Sequence, residues 1–575
     1  MRATLWGACC AWLSVGLLVG LLAGLVGGVR AQEEGGPAEE GAPGRITGNV
    51  QLLWQSYAPD SLIGAVVPPE KSALNAYGNL IYTRGNFSAG MRYESYLNAV
   101  VGFPGRFKGT GVGYRFARYS DPEVGLDITL GNFYEQFGSG IVLRSYEERA
   151  LGIDNALDGF RLILTPVPGL ELKALLGKQR LDFNDGLILG PGLVRAVDAQ
   201  VSLNDLREAW SVRDLRVTLG GNFVSRFQAG STIAKDTLVL TLPQNVAAWS
   251  YRLGVQRGRW SGNVEYATKI NDPSADNQYV YRKGEALLVD LAYAQRGFGW
   301  VLNAKTVDNM SFRSDRNVLL FDLPINYIPA ITKQHTYNLA ATLYPYATVV
   351  AGESSIGGEL YYTVPKETWL GGRYGTRVTL NVAAANGLDT TRLQGVEGAT
   401  MGFQRNSWGF GPAKFVRDVN VLLERKVNAD LKLKYAYFYL EFNTLATPVT
   451  TTFKGLVYAD IHVLEAQWKT APKQSLRAEV QGLFTEQDKG DWATALVEYT
   501  WSPHWFASVM DQYNYGNPDV GARVHYLYGA VGYTEGPHRL AVGYGKRREG
   551  IFCIGGVCRA VPASNGFEVT FTSSF

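Results

Sequence analysis

The sequence predicts an all-β protein: a transmembrane antiparallel up-and-down β-barrel of about 26 strands, within a range of 22–26, forming a single domain. From Arg45 onward, apolar and polar residues alternate at period two, the period at which strand side chains switch faces. Charged residues make up 19% and aromatic residues 12% of the chain, with 66 glycines, whereas a soluble chain carries about 25% charge. Gly, Pro, Asn and Asp recur at intervals where a tight turn would reverse the chain.

The chain opens with Arg2, then an apolar stretch from Leu5 to Val29, and Val29-Arg30-Ala31 offers a cleavage site. Residues 1–31 therefore read as a signal peptide cut after Ala31. Residues 32–44, acidic and rich in Gly and Pro, read as a flexible leader. The barrel is expected over 45–575. Lys and Arg total 55 against 52 for Asp and Glu, a net charge of +3, so no nucleic-acid partner is expected. A mean hydropathy of -0.07 excludes a polytopic helical membrane protein.

Within the barrel the alternation is clearest where Val124, Leu126, Ile128 and Leu130 alternate with glycine and polar residues. It recurs where Trp249, Tyr251, Leu253 and Val255 do so, and in Leu431, Leu433, Tyr435, Tyr437 and Tyr439. In an outer-membrane barrel the apolar face meets lipid and the polar face lines the lumen. Tight turns are expected at Arg84-Gly85-Asn86, Ser120-Asp121-Pro122, 166–169, Arg257-Gly258, Arg296-Gly297, Asn386-Gly387, 428–430, Ala471-Pro472, Ser502-Pro503 and Gly536-Pro537, and near 205–214 and 346–352. These twelve turns between a first and a last strand give the figure of 26.

At the end of the chain Phe567, Val569, Phe571 and Phe575 recur at period two, and the chain stops at Phe575. This resembles the C-terminal assembly signal of bacterial outer-membrane β-barrels, with Ser573 standing where another apolar residue is usual. The resemblance covers 45–575 and implies location in a Gram-negative outer membrane, contact with its lipid, and the outer-membrane barrel assembly machinery as a partner. More loosely, the stretch 133–161 and the barrel pattern resemble large, uncharacterised porin-like barrels of Bacteroidota-type bacteria.

No phosphate loop, HExxH or GxSxG motif is present, and the five histidines are scattered. No enzyme activity, cofactor or metal site is therefore expected; Asn271 to Asn277 is rich in oxygen ligands without the spacing of an EF-hand. The stretch 133–161 breaks the alternation with both signs of charge and glycine. It reads as a loop folded into the lumen, with Arg144, Glu147, Glu148, Arg149, Asp154, Asp158 and Arg161 as candidate constriction residues. An ordinary surface loop with solvated ion pairs is the competing reading.

Cys553 and Cys558, in a long connection of an exported chain, are expected to form a disulfide. Among interior-facing charges, seven cations including Lys173, Arg195, Arg252, Lys305, Lys434 and Arg477 balance seven carboxylates including Asp198, Glu479 and Glu568. The expected function is a channel or transport conduit narrowed by the inward loop, since barrels of 16–18 strands already leave an open aqueous channel. The alternative is a scaffold or secretion-associated barrel closed by a partner such as a surface lipoprotein.

Overall fold

The computed structural model describes residues 43–206, 214–235, 238–319, 322–446, 453–554 and 557–575. The expected signal peptide and nearly all of the leader lie outside the described residues.

Twenty-four strands form one sheet, paired antiparallel in chain order. The first strand, Arg45–Ser56, also pairs with the last, Ser564–Ser574, with Leu52 opposite Phe571, so the sheet closes into a barrel. Beyond the last strand, Phe575 N donates to Gly48 O at 3.0 Å and accepts in turn, Gly48 N reaching Phe575 O at 2.9 Å. Among the described residues no helix is long and apolar enough to cross a membrane.

The strand number falls inside the expected range and two below 26 for an identifiable reason. Asn386-Gly387 is not a turn: it lies within the strand Thr376–Arg392 at a bulge in its pairing with the next strand, and Asn386 Nδ2 donates to Gly411 O at 2.7 Å. Residues 346–352 are likewise no turn, but the end of a single connection that runs from 309 to 351. Against these, one unexpected reversal joins Gly352–Val364 to Thr376–Arg392. The net loss of one turn removes two strands.

Alternation sorts the wall into two faces. Along Leu187–Ser202, Val194, Ala196 and Asp198 are buried while Val197 is exposed. Along Leu431–Asn443, Ala436, Phe438, Leu440 and Phe442 are buried while Tyr435 is exposed. The exposed apolar face is the outside, as a bilayer requires. Burial of the interior face is concentrated toward the long connections in most strands. In Ser72–Arg84, Ala73, Asn75 and Tyr77 are buried, whereas everything from Leu80 to Arg84 is exposed. The interior face of such strands is therefore more buried toward the long connections than toward the tight turns.

At the closing seam Gly566 has φ +149°, and a Cβ there would stand 1.9 Å from Ser56 O. Gly566→Val is expected to lower the stability of the closed barrel by roughly 1–3 kcal/mol, read as an earlier loss of the compact band in heat-modifiable gel migration. An unchanged melting profile would show that the seam does not need glycine.

Candidate functional site

The connection expected at 133–161 occupies 134–156, between the strands Leu126–Phe133 and Leu157–Val167. Its first part is apolar: Phe137, Ile141, Val142 and Leu143 are buried in one cluster with interior-face wall residues such as Val224, Val246, Ala248 and Ala267. Its second part docks through charge. Asp154 accepts from Arg180 Nη1 at 2.9 Å, from Arg92 Nη2, and from the Tyr134 hydroxyl at 2.8 Å. Both arginines also hold Glu94, Arg180 through two bonds of 2.7 Å and Arg92 Nε at 2.7 Å. Burial pushes the Tyr134 hydroxyl well above its usual range, reinforced by the Asp154 carboxylate beside it.

The seven candidate residues separate by position. Glu147 accepts from Arg92 Nη1 at 2.8 Å and Arg149 Nε at 2.7 Å. Arg149 reaches Gln51 Oε1 at 2.6 Å and lies over the Tyr77 ring, while Glu148 caps a short helical turn through Ala150 N. These three border a cavity with Asn49, Gln51, Asn79 and Tyr114. Arg144 stacks on Tyr327, 4.1 Å from the ring centre. Asp158 and Arg161 belong to the wall strand; Arg161 contacts Asp127 at 3.1 Å on the interior face, and Asp158 faces outward, 3.4 Å from Arg115.

The connection 309–351 was not legible as one element. Met310, Phe312, Ile325 and Ile328 join the same buried cluster as Phe137 and Ile141. Arg144 N donates to Ile325 O at 2.8 Å, Tyr327 N to Gly140 O at 2.9 Å, and Asn326 Nδ2 to Ile141 O at 3.1 Å. Farther along, Tyr337, Leu339, Tyr344 and Tyr346 pack on Phe438, Leu440 and Phe442 across the barrel. Single polar bonds pin it there: His335 Nε2 to Asp418 at 2.7 Å, Leu339 N to Gln481 Oε1 at 3.0 Å, and the Tyr346 hydroxyl to Glu353 at 2.6 Å. The sequence does hold a trace of it. Alternation lapses after Asp308 and resumes only near Gly352, and Pro324, Pro329 and Pro345 fall between, where no central strand would carry proline.

Most of the interior charges counted from the sequence pair across the wall: Arg252 with Asp198 at 2.7 Å, Lys305 with Glu353 at 3.2 Å, Lys434 with Glu465 at 2.9 Å. Arg195 does not belong among them, because it lies on the outer face. Asp272, in the oxygen-rich turn, is taken up by Arg226 at 2.8 Å and Lys269 at 3.2 Å. Cys553 stands directly opposite Cys558 in a hairpin of Gly550–Ile554 and Val557–Val561.

Residues 13–575 match the model of a family of unknown function, DUF6029. The chain belongs to that family. No curated protein matches it. Among solved structures it is similar to the siderophore receptor PirA from Pseudomonas aeruginosa, at 12% identity and TM-score 0.36, covering 94% of this chain and 81% of that one. It is also similar to the translocation pore of the P pilus usher PapC, at 9% identity and TM-score 0.38 over 92% and 98%. A third is the outer membrane protein opdK from Pseudomonas aeruginosa, at 11% identity and TM-score 0.32 over 81% and 98%. The barrel's own geometry carries the functional argument that follows.

Asp154→Ala is expected to destabilise the protein by about 3–5 kcal/mol, because it removes one of the carboxylates that two buried arginines share with Glu94 and leaves buried positive charge uncompensated. Glu148→Ala, which removes only a helical-turn cap, should cost about 1 kcal/mol. Urea unfolding followed by tryptophan fluorescence separates the two, and equal effects would refute a buried docking role for Asp154.

Proposed function

We propose that this protein is an outer-membrane transport conduit whose passage is narrowed at the long-loop end by 134–156 together with 309–351. The observation that carries this reading is the shared cluster in which Phe137, Ile141, Met310 and Phe312 pack on interior-face residues of the wall. Loops exposed to solvent outside the barrel would have no reason to carry that apolar surface. The charged edge formed by Glu147, Glu148 and Arg149, facing the amides of Asn49, Gln51 and Asn79, is what a passing solute would meet, and its mixed charge favours polar over strongly ionic cargo. The exposed apolar outer face, which includes Phe567 of the strand Ser564–Ser574, supports assembly into an outer membrane.

The loop 330–347 offers a clean test, because its ends already meet: Thr348 Oγ1 donates to Pro329 O at 2.9 Å. Replacing 330–347 by Gly-Gly should raise single-channel conductance several-fold in planar bilayers without loss of heat-modifiable migration. A folded variant whose conductance equals that of the wild type would sink the proposal that this segment obstructs the passage.

The disulfide between Cys553 and Cys558 is part of the same reading, stiffening a hairpin that touches both the turn Arg149–Leu151 and the helix Asn338–Thr342. Peptide mapping without reduction should recover the two cysteines in one linked peptide. Quantitative alkylation of both thiols in protein isolated from the membrane would exclude the bond.

A further inference from the structure

The outer face of the wall is not uniform, and Arg195 marks where it changes. Val194 and Ala196 are buried in the interior cluster, so Arg195, exposed between them, projects outward. Five strands meet here: Leu157–Val167, Leu170–Phe183, Leu187–Ser202, Leu215–Phe227 and Asn245–Arg257. Their register lines up the outward side chains in rows. One row reads Leu164, Leu172, Ala199, Gly221 and Tyr251. The next, toward the long loops, reads Leu162, Ala174, Val197, Phe223 and Trp249. Where Ala174, Ala199 and Gly221 adjoin, the wall carries almost no side chain, and a hollow opens between Leu162 and Leu172 on one side and Phe223 and Tyr251 on the other.

Above the hollow the rim is positive. Arg195 Nη2 donates to Asn245 Oδ1 at 2.7 Å and to Ser225 Oγ at 3.1 Å, which holds the guanidinium at the top of the groove. Lys178, exposed on the neighbouring strand and two positions from the partner of Arg195, makes no hydrogen bond or ion pair among the described residues. Asp158 stands across from it and is engaged by Arg115 at 3.4 Å. Three cations therefore share one carboxylate at this rim, whereas interior cations such as Arg252 and Lys305 each have a carboxylate of their own.

We infer that this is a binding site for an anionic phospholipid, one acyl chain filling the hollow and the phosphate, with no cationic group beside it, lying between Arg195 and Lys178. A hollow facing a bilayer is filled by whatever apolar chain fits it, with a gain that scales with the area covered. A guanidinium fixed by Asn245 and Ser225 beside a free ammonium suits a phosphodiester anion, and the one carboxylate nearby, Asp158, is already engaged by Arg115. The inference rests on the barrel standing in a bilayer.

The test uses the full chain in detergent, given phosphatidylglycerol or phosphatidylcholine with identical acyl chains and examined by native mass spectrometry. Two cations at a membrane surface imply a preference for the anionic lipid of roughly tenfold. In Lys178→Gln/Arg195→Gln that preference should vanish, and in Ala199→Phe, which fills the hollow, retention of both lipids should fall. A wild type that retains both lipids equally, or a double variant that keeps the preference, overturns the site. Protein that stays soluble and monodisperse without detergent overturns instead the bilayer reading beneath it. Heat-modifiable migration of every variant shows that the barrel itself is intact.

Discussion

In an apolar surrounding, a strand cannot leave its backbone N–H and C=O groups unpaired, because each such group costs several kcal/mol. Closure of the first strand on the last is therefore the constraint on which the rest depends. It explains why the register between Arg45–Ser56 and Ser564–Ser574 is continuous from Asn49 to Gln55, and why Phe575 exchanges two hydrogen bonds with Gly48. It also explains the glycine at 566, where two backbones approach too closely for any side chain. Phe567, Val569 and Phe571 can then repeat on one face because the other face of the same strand must present Glu568 and Thr570 to the interior.

A ring of 24 strands encloses more space than its own side chains can fill, and residues of two connections pack on its interior face. The wall makes room for them. Ala248, Ala267 and Ala286 occupy interior positions beside the cluster that contains Phe137, Met310 and Phe312. Small residues on the wall and large ones on the connections give close packing, as in the core of a soluble protein. This is why the interior face is not polar throughout. At the long-loop end apolar packing is joined by buried ion pairs such as Asp154 with Arg180; toward the tight turns pairs such as Arg477 with Glu498 are partly exposed.

What the sequence reveals follows from the range of the interactions involved. Alternation and turn chemistry are local, so the barrel, its seam and most of its reversals are legible. Asn386-Gly387 misleads because the same dipeptide that closes a hairpin also permits a bulge, and only the partner strand decides between them. The charged character of Glu147, Arg149 and Asp154 is plain in the sequence, but Arg92, Glu94 and Arg180 look like ordinary polar-face residues until the fold brings their two strands together around Asp154. The connection 309–351 has no period of its own. Its positions are set by residues such as Ile141, Phe438 and Gln481, each far away in the chain, and no local pattern encodes them.

Charge placement separates the two faces more sharply than polarity does. An ion taken out of water must find its partner within the protein, and the interior obeys this: Asp198 meets Arg252, Asp154 meets two arginines, Asp418 meets His335. Arg195 lies three residues before Asp198 on the same strand, and period two sends the two to opposite faces. On the outside, among the described residues, no carboxylate pairs with Arg195; amide and hydroxyl oxygens steady it without neutralising it. A cation held in place but left uncompensated at the edge of an apolar belt draws its counter-charge from whatever lies beside the barrel, and what lies beside a barrel in a bilayer is lipid.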